Sequence, residues 1–286
     1  MIPGEWVLAV ITAYFDDSQT DQRLCTVAGL AGYPNQWELF ERLWDAVLAA
    51  HEVPYFHMRE MAAPGGVFAR WHPPETHQDN VTAFFTDVVR AIRDPYLHMF
   101  ASIVFVRDLE RFNSDKGLDL KPYPLAASAC LTQLALHYPD LPVTAVFDRT
   151  EKIDDKLAVA RSYAEGYVTP DPMGRIASVP LSEGESSRTV PPLQAADLVA
   201  WEQRREHAPV EGAHRVPEHA GAKTRDEQWE EYRIWSRLNR AREYPLQRKT
   251  LEVLIDAGLS VNLVVWDYRK LSQTHDLRNG LWAPAR

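Results

Sequence analysis

The stretch LAVITAYFDDSQTDQRLCTVAGLA, Leu8 to Ala31, decides the fold class. Leu8 to Phe15 is almost wholly apolar and partly β-branched, which suits a strand covered on both faces. Asp17 to Arg23 is polar and predicts a turn, and Leu24 to Ala31 is a second apolar run close enough to pair antiparallel with the first. The first strand ends in an acid, Asp16, and the ending recurs: in VFDRT, Val146 to Thr150, the apolar run from Val143 to Phe147 stops at Asp148. In open α/β sheets, ligands bind outside the carboxyl ends of the strands, so two such carboxylates on neighbouring parallel strands can share a site.

Helical and extended segments alternate around this pair. Asn35 and Glu38 have the spacing of a capping box, ahead of Trp37, Phe40, Leu43, Trp44, Val47 and Leu48 at helical intervals up to about Ala50. A loop rich in Pro and Gly, Ala63 to Pro74, separates this helix from a second one marked by Val81, Phe84, Phe85, Val88, Val89 and Ile92, which Asp94-Pro95 stops. His98 to Val106 reads as a strand, Pro124 to His137 as a helix, Lys152 to Gly166 as a helix and Ile176 to Pro180 as a short strand. Pro191-Pro192 introduces a further helix from about Leu193. After about Arg205 the texture changes to a loop bearing His, Pro and Gly, then a charged, aromatic helical segment from Arg225 to Arg242. Val261 to Trp266 follows as a late strand, and a loosely held tail begins at Leu271.

Composition narrows the function. The chain has 286 residues and 45% hydrophobic content, enough for one sizeable core and an extension. The apolar run Trp6 to Phe15 lacks a basic flank and ends in Asp16-Asp17, so it reads as a strand and not a signal peptide. No stretch approaches the roughly 18 to 20 apolar residues of a membrane-spanning helix, and a cytoplasmic location without membrane association is the expectation. Cys25 and Cys130 are far apart among apolar neighbours, the pattern of buried thiols and not of a disulfide framework. A net charge of −9 argues against non-specific coating of nucleic acid, which relies on a surplus of Lys and Arg. It does not argue against a nuclease whose cations neutralise its own acids and a substrate phosphate.

The third acid is Asp197, in PLQAADLVAW, Pro192 to Trp201, where Leu193, Ala195, Ala196, Leu198, Val199 and Ala200 mark a deeply packed helix and Gln194 lies one turn away. A carboxylate there is costly unless it is hydrogen-bonded or faces a cation. Singly, each aspartate after a strand is also an ordinary turn former or helix cap; jointly, Asp16, Asp148 and Asp197 form a pattern. Like carboxylates about 4 Å apart repel by roughly 4 kcal/mol at an effective dielectric near 20, a penalty that a divalent cation removes. All-oxygen ligands favour Mg²⁺ or Mn²⁺ over zinc.

Four segments carry a resemblance to a known family. YFDDSQ, with Asp16 and Ser18, resembles the opening strand and turn of the bacterial and phage domain of unknown function 3800; YFHMREM, with His57, resembles its histidine motif. VFDRT resembles its internal strand with Asp148, and SSRTVPPLQAADLVAW its closing motif with Ser187, Gln194 and Asp197. The match spans about Val7 to Arg205. Asp17 stands where the family has glutamate and Gln19 where it has glycine. The resemblance implies a ribonuclease H-like α/β domain, a mixed sheet flanked by helices, over residues 1–206; it leaves 207–286 unexplained, and the change of texture after about Arg205 makes that stretch a mainly helical extension packed on the domain. The resemblance also implies a metal-dependent nuclease with Asp16, Asp148 and Asp197 as catalytic acids and metal ligands, and Ser18, His57, Ser187 and Gln194 near the substrate. Glu60 is a candidate fourth acid, His57 a candidate proton shuttle or phosphate contact, and Asp17 a supporting residue behind the ligands. DNA or RNA is the expected substrate, and a homodimer stays open. A catalytically inactive binding module and a small phosphate-ester or nucleotide hydrolase are the rival expectations.

Other features carry less. Arg233, Arg237 and Arg240 share a helical face with Glu230, Glu231 and Glu243, the composition of a salt-bridged solvated surface, and Trp229 and Trp235 fit packing as well as base stacking. GESSR, Gly184 to Arg188, lacks the second glycine of a nucleophile elbow, no glycine-rich phosphate loop occurs, and His214 and His219 have no cysteine partners.

Overall fold

The computed structural model describes residues 10–20, 23–62, 66–72, 76–166, 173–183, 185–207 and 261–277. The hairpin forms as its apolar runs require: β1 (Ile11–Thr20) pairs antiparallel with β2 (Leu24–Gly32), and β2 with β3 (His98–Phe105). On the other side of β1, β4 (Val143–Phe147) and then β5 (Ile176–Pro180) add in parallel, and β6 (Val261–Trp266) pairs in parallel with β3. The result is a mixed six-stranded sheet in the order β5-β4-β1-β2-β3-β6.

Helices cover both faces. One face carries α1 (Pro34–Ala50), α2 (Met58–Ala62), a 3₁₀ turn (Gly66–Trp71), α3 (Gln78–Arg93) and, between β5 and β6, α7 (Pro191–His207). The other carries α5 (Pro122–His137) and α6 (Ile153–Glu165), with α4 (Val106–Lys116) and α8 (Tyr268–Leu277) beside them. Every residue of β2 is buried, because the strand lies mid-sheet between α5 and α7. Alternation along β1 sends Ile11, Ala13 and Phe15 into the α5 core and Tyr14 toward α7.

Several expectations are corrected. The turn expected at Asp17 to Arg23 is mostly strand: pairing continues through Asp17↔Val27 and Ser18↔Thr26 to Thr20↔Leu24, because backbone ladder bonds do not depend on side-chain polarity. Asn35 does not cap α1. The helix starts at Pro34, and the Gln36 side chain accepts the Tyr33 N–H at 2.8 Å while its amide donates to the Pro95 and Tyr96 carbonyls, each at 2.9 Å. α5 begins at Pro122, two residues before the expected start. The tail from Leu271 is not loose over its described part: Leu271 is fully buried in the same cluster as Phe112 and Trp266. Beyond position 207, the described residues are a strand that completes the sheet and a helix that packs on α4. The segment Arg225 to Arg242, with its Arg, Trp and Glu residues, and His214 and His219 lie outside the described residues. Among the described residues no helix is long and apolar enough to cross a membrane.

Candidate active site

Register brings the first two acids together. Phe15 of β1 pairs with Phe147 of β4, and the ladder runs one step further, with the Asp148 N–H donating to the Phe15 carbonyl at 2.9 Å. Asp16 and Asp148 therefore leave adjacent parallel strands at the same level, each one residue beyond a core phenylalanine, and both turn to the α7 face. Phe15 and Phe147 stack on the opposite face with ring centroids 5.0 Å apart, which fixes that level.

The third acid comes down from α7. Asp197 is only 9% exposed, and its Oδ2 accepts the Met58 N–H at 2.7 Å. The three carboxylates feel one another. Burial holds Asp16 well above the ordinary carboxylate range, and the charges of Asp197, Asp148 and Asp17 push it further, against the Asp17 N–H that its Oδ1 accepts at 2.7 Å. Burial also raises Asp197, as does Asp148, while the Met58 N–H, His57 and Arg204 oppose the shift. Asp148 is raised by burial despite the Arg149 N–H, His57 and a hydrogen bond with the Ser187 side chain. Each carboxylate thus has one oxygen tied to a backbone N–H, which orients it, and Asp16 carries the energetic cost of both other acids while Asp197 carries that of Asp148.

His57 is a neighbour that Asp148 and Asp197 share. It precedes α2, acts electrostatically on Asp148, Asp197 and Glu60, and has a buried Nδ1 with no hydrogen-bond partner among the described residues. A buried unpaired ring nitrogen is costly, and such atoms gather where a ligand completes the bonding. Ser18, two residues past Asp16 on the same face, accepts the Arg204 Nε–H at 2.7 Å, and Arg204 lies two helical turns beyond Asp197.

Two other expected site residues have bracing places. Gln194 Oε1 accepts Trp44 Nε1–H at 3.0 Å and the Phe56 N–H at 2.8 Å, and its amide donates to the Arg188 carbonyl at 3.0 Å. It ties α1, the His57 segment and the loop before α7 together. Glu60 accepts the Tyr55 hydroxyl at 3.2 and 3.0 Å, the Val67 N–H at 3.4 Å and Arg188 Nη2–H at 2.6 Å. Burial alone would raise Glu60, but these donors and His57 together hold it below the usual range. Asp17 turns to the other face, where its charge is felt by the buried Cys25 and Tyr123. It is therefore not behind the α7-face cluster, because alternation sends neighbours in a strand to opposite sides.

Sequence patterns did not single out Arg149, Arg188 or Arg204, whose partners are remote: 128 positions separate Glu60 from Arg188 and 186 separate Ser18 from Arg204. The only local signal was their place within or next to the motifs already quoted. Among the described residues, no group of three or more His, Cys, Asp and Glu side chains is drawn into a coordination sphere. The carboxylates themselves, oriented and repelling one another, are nevertheless the oxygen donors that a hard cation takes. Comparison with family models, curated proteins and solved structures returns no match.

Proposed function

We propose that the protein is a Mg²⁺- or Mn²⁺-dependent nuclease of ribonuclease H-like architecture that hydrolyses phosphodiester bonds of DNA or RNA, as the resemblance to domain of unknown function 3800 implies. The observation that carries this reading is the mutual destabilisation of Asp16, Asp148 and Asp197, which approach from β1, β4 and α7 on one face of the sheet. The antiparallel run β1-β2-β3 extended by parallel β4 and β5 supports the fold assignment. A protein keeps such repulsion where it serves function.

Asp16, Asp148 and Asp197 would hold the cations, Asp16 as the member closest in charge to both others. Bound divalent ions supply charge neutralisation at the phosphate and a lowered pKa for water. The chain's own residues do the rest. Backbone N–H groups of Asp17, Arg149 and Met58 fix the three carboxylates before substrate arrives, so no reorganisation is needed during reaction. Water adds to phosphorus, the ester P–O bond breaks, and the proton released by water ends on the departing oxygen. His57, whose Nδ1 has no hydrogen-bond partner among the described residues, would hold or relay that proton. Ser187 holds Asp148, and Gln194 holds the His57 segment against α7.

Calorimetric titration of Mn²⁺ into the wild type and Asp16→Asn, followed by incubation with single- and double-stranded DNA and RNA, tests the reading. The expected result is binding and cleavage by the wild type and neither by the variant. Binding without turnover would mark a non-catalytic module; turnover of nucleotides alone would mark a small-ester hydrolase. Full cleavage by Asp148→Asn would refute the site.

A further inference from the structure

The contact between Asp148 and Ser187 joins the loop after β4 to the loop before α7, and the next residue in each loop is an exposed arginine, Arg149 and Arg188. Each guanidinium is anchored by a single N–H. Arg149 Nε–H donates to the Leu181 carbonyl at 2.8 Å. Arg188 Nη2–H donates to Glu60 at 2.6 Å, and its guanidinium carbon lies 5.3 Å from the centre of the Tyr55 ring. A guanidinium carries five N–H donors, so both nitrogens at the far end of Arg149, and Nε and Nη1 of Arg188, have no acceptor among the described residues.

A purely structural latch would bury its arginine and use more of its donors. Arg188 is instead 54% exposed on its side chain, while Glu60, 15% exposed, is already satisfied by Tyr55 and Val67. The Gln194 amide pins the Arg188 carbonyl, so the backbone is fixed as well as the fork. Planar forks held this way, with donors left over, match phosphate oxygens. They also supply local positive charge beside an acidic cluster in a chain of net charge −9.

We propose that Arg149 and Arg188 form a two-point clamp for backbone phosphates flanking the scissile one, which makes this a site for a nucleic acid strand and not for a mononucleotide. The clamp rests on the nuclease reading only for the identity of the reacting bond. Because each phosphate contact is a charge-assisted hydrogen bond worth ~1.5–3 kcal/mol, losing one weakens strand binding by about 10- to 100-fold.

The test uses Arg149→Gln, Arg188→Gln and, as a charge control on the outer face of α3, Arg90→Gln. Fluorescence anisotropy of a labelled single-stranded oligonucleotide, in an Asp16→Asn background that leaves the strand intact, gives Kd. Steady-state kinetics compare the same oligonucleotide with bis(4-nitrophenyl) phosphate, a diester with one phosphorus. Expected are a Kd and KM for the oligonucleotide raised at least tenfold by either clamp variant, a loss at least tenfold larger than on the small diester, and no change in Arg90→Gln. Unchanged Kd and KM in both clamp variants, or equal losses on the two substrates, would overturn the clamp. If Arg188→Gln proves unfolded by its thermal melt, Arg149→Gln decides, since its side chain anchors only to a carbonyl. Cleavage with KM and Kd unaltered in the clamp variants would remove the clamp and leave the nuclease; strand binding weakened by the clamp substitutions in a protein whose wild type cuts nothing would do the reverse.

Discussion

At the scale of single residues, the site trades stability for chemistry. Burial and three neighbouring acids oppose the ionised form of Asp16, so Asp16→Asn relieves that penalty in the metal-free protein. We expect its Tm to rise by about 2–4 °C, the shift that ~1 kcal/mol produces in a chain of this size, while Mn²⁺ binding disappears. A lower Tm would mean that the Asp17 N–H bond outweighs the repulsion. Gln194 has the opposite character. Gln194→Leu strands the Trp44 and Phe56 N–H groups in the core, and a buried unsatisfied donor costs ~1–3 kcal/mol. Urea unfolding should show a loss of about 2–4 kcal/mol together with slower cleavage, because the His57 segment loses its tie to α7.

Among elements, the hairpin of β1 and β2 sets the site. A Cβ on Gly29 would lie 1.9 Å from the Tyr14 carbonyl oxygen, a backbone atom that cannot move without shifting β1. Gly29→Ala should therefore cost about 3 kcal/mol or more in chemical denaturation and displace Asp16 from the level of Asp148, abolishing cleavage even where the fold survives. The two strands of this element and the place of Asp16 beside a core phenylalanine were legible in the sequence, but the end of β1 was not, because its pairing continues past Asp16 to Thr20 through backbone bonds that side-chain polarity does not reveal. Asp197 was legible too: a charge among Leu, Ala and Val must have a partner. The helices α2 and α4 and the 3₁₀ turn were not anticipated. α2 is only five residues long, too short for a period to show, and α4 buries only Val106, Leu109 and Phe112 among charged neighbours. The bracing roles of Gln194 and Glu60 were hidden because their partners come from distant parts of the chain, Trp44 being 150 positions from Gln194.

For the whole molecule, the acids give stability a defined response to pH. Asp16, Asp148 and Asp197, and the buried Glu202, all have folded-state values raised from their ordinary ones, Asp16 the most clearly. The folded chain therefore binds these protons more tightly than the unfolded chain does. Their contribution to stability is complete below the ordinary range and is lost as pH rises through the raised values; Glu60, shifted down, works the other way. Metal-free protein should melt higher near pH 5 than near pH 8 in differential scanning calorimetry, and Asp16→Asn should narrow that gap; a flat profile would contradict the cluster. One bond gives this electrostatic frame a mechanical consequence. Asp197 Oδ2 holds the Met58 N–H, and a cation that favours the ionised carboxylate strengthens its grip on that N–H. Occupancy and the ordering of the Met58 turn are then reciprocal: saturating Mn²⁺ should slow trypsin at the exposed Arg59 peptide bond, making limited proteolysis a gauge of the site that requires no substrate.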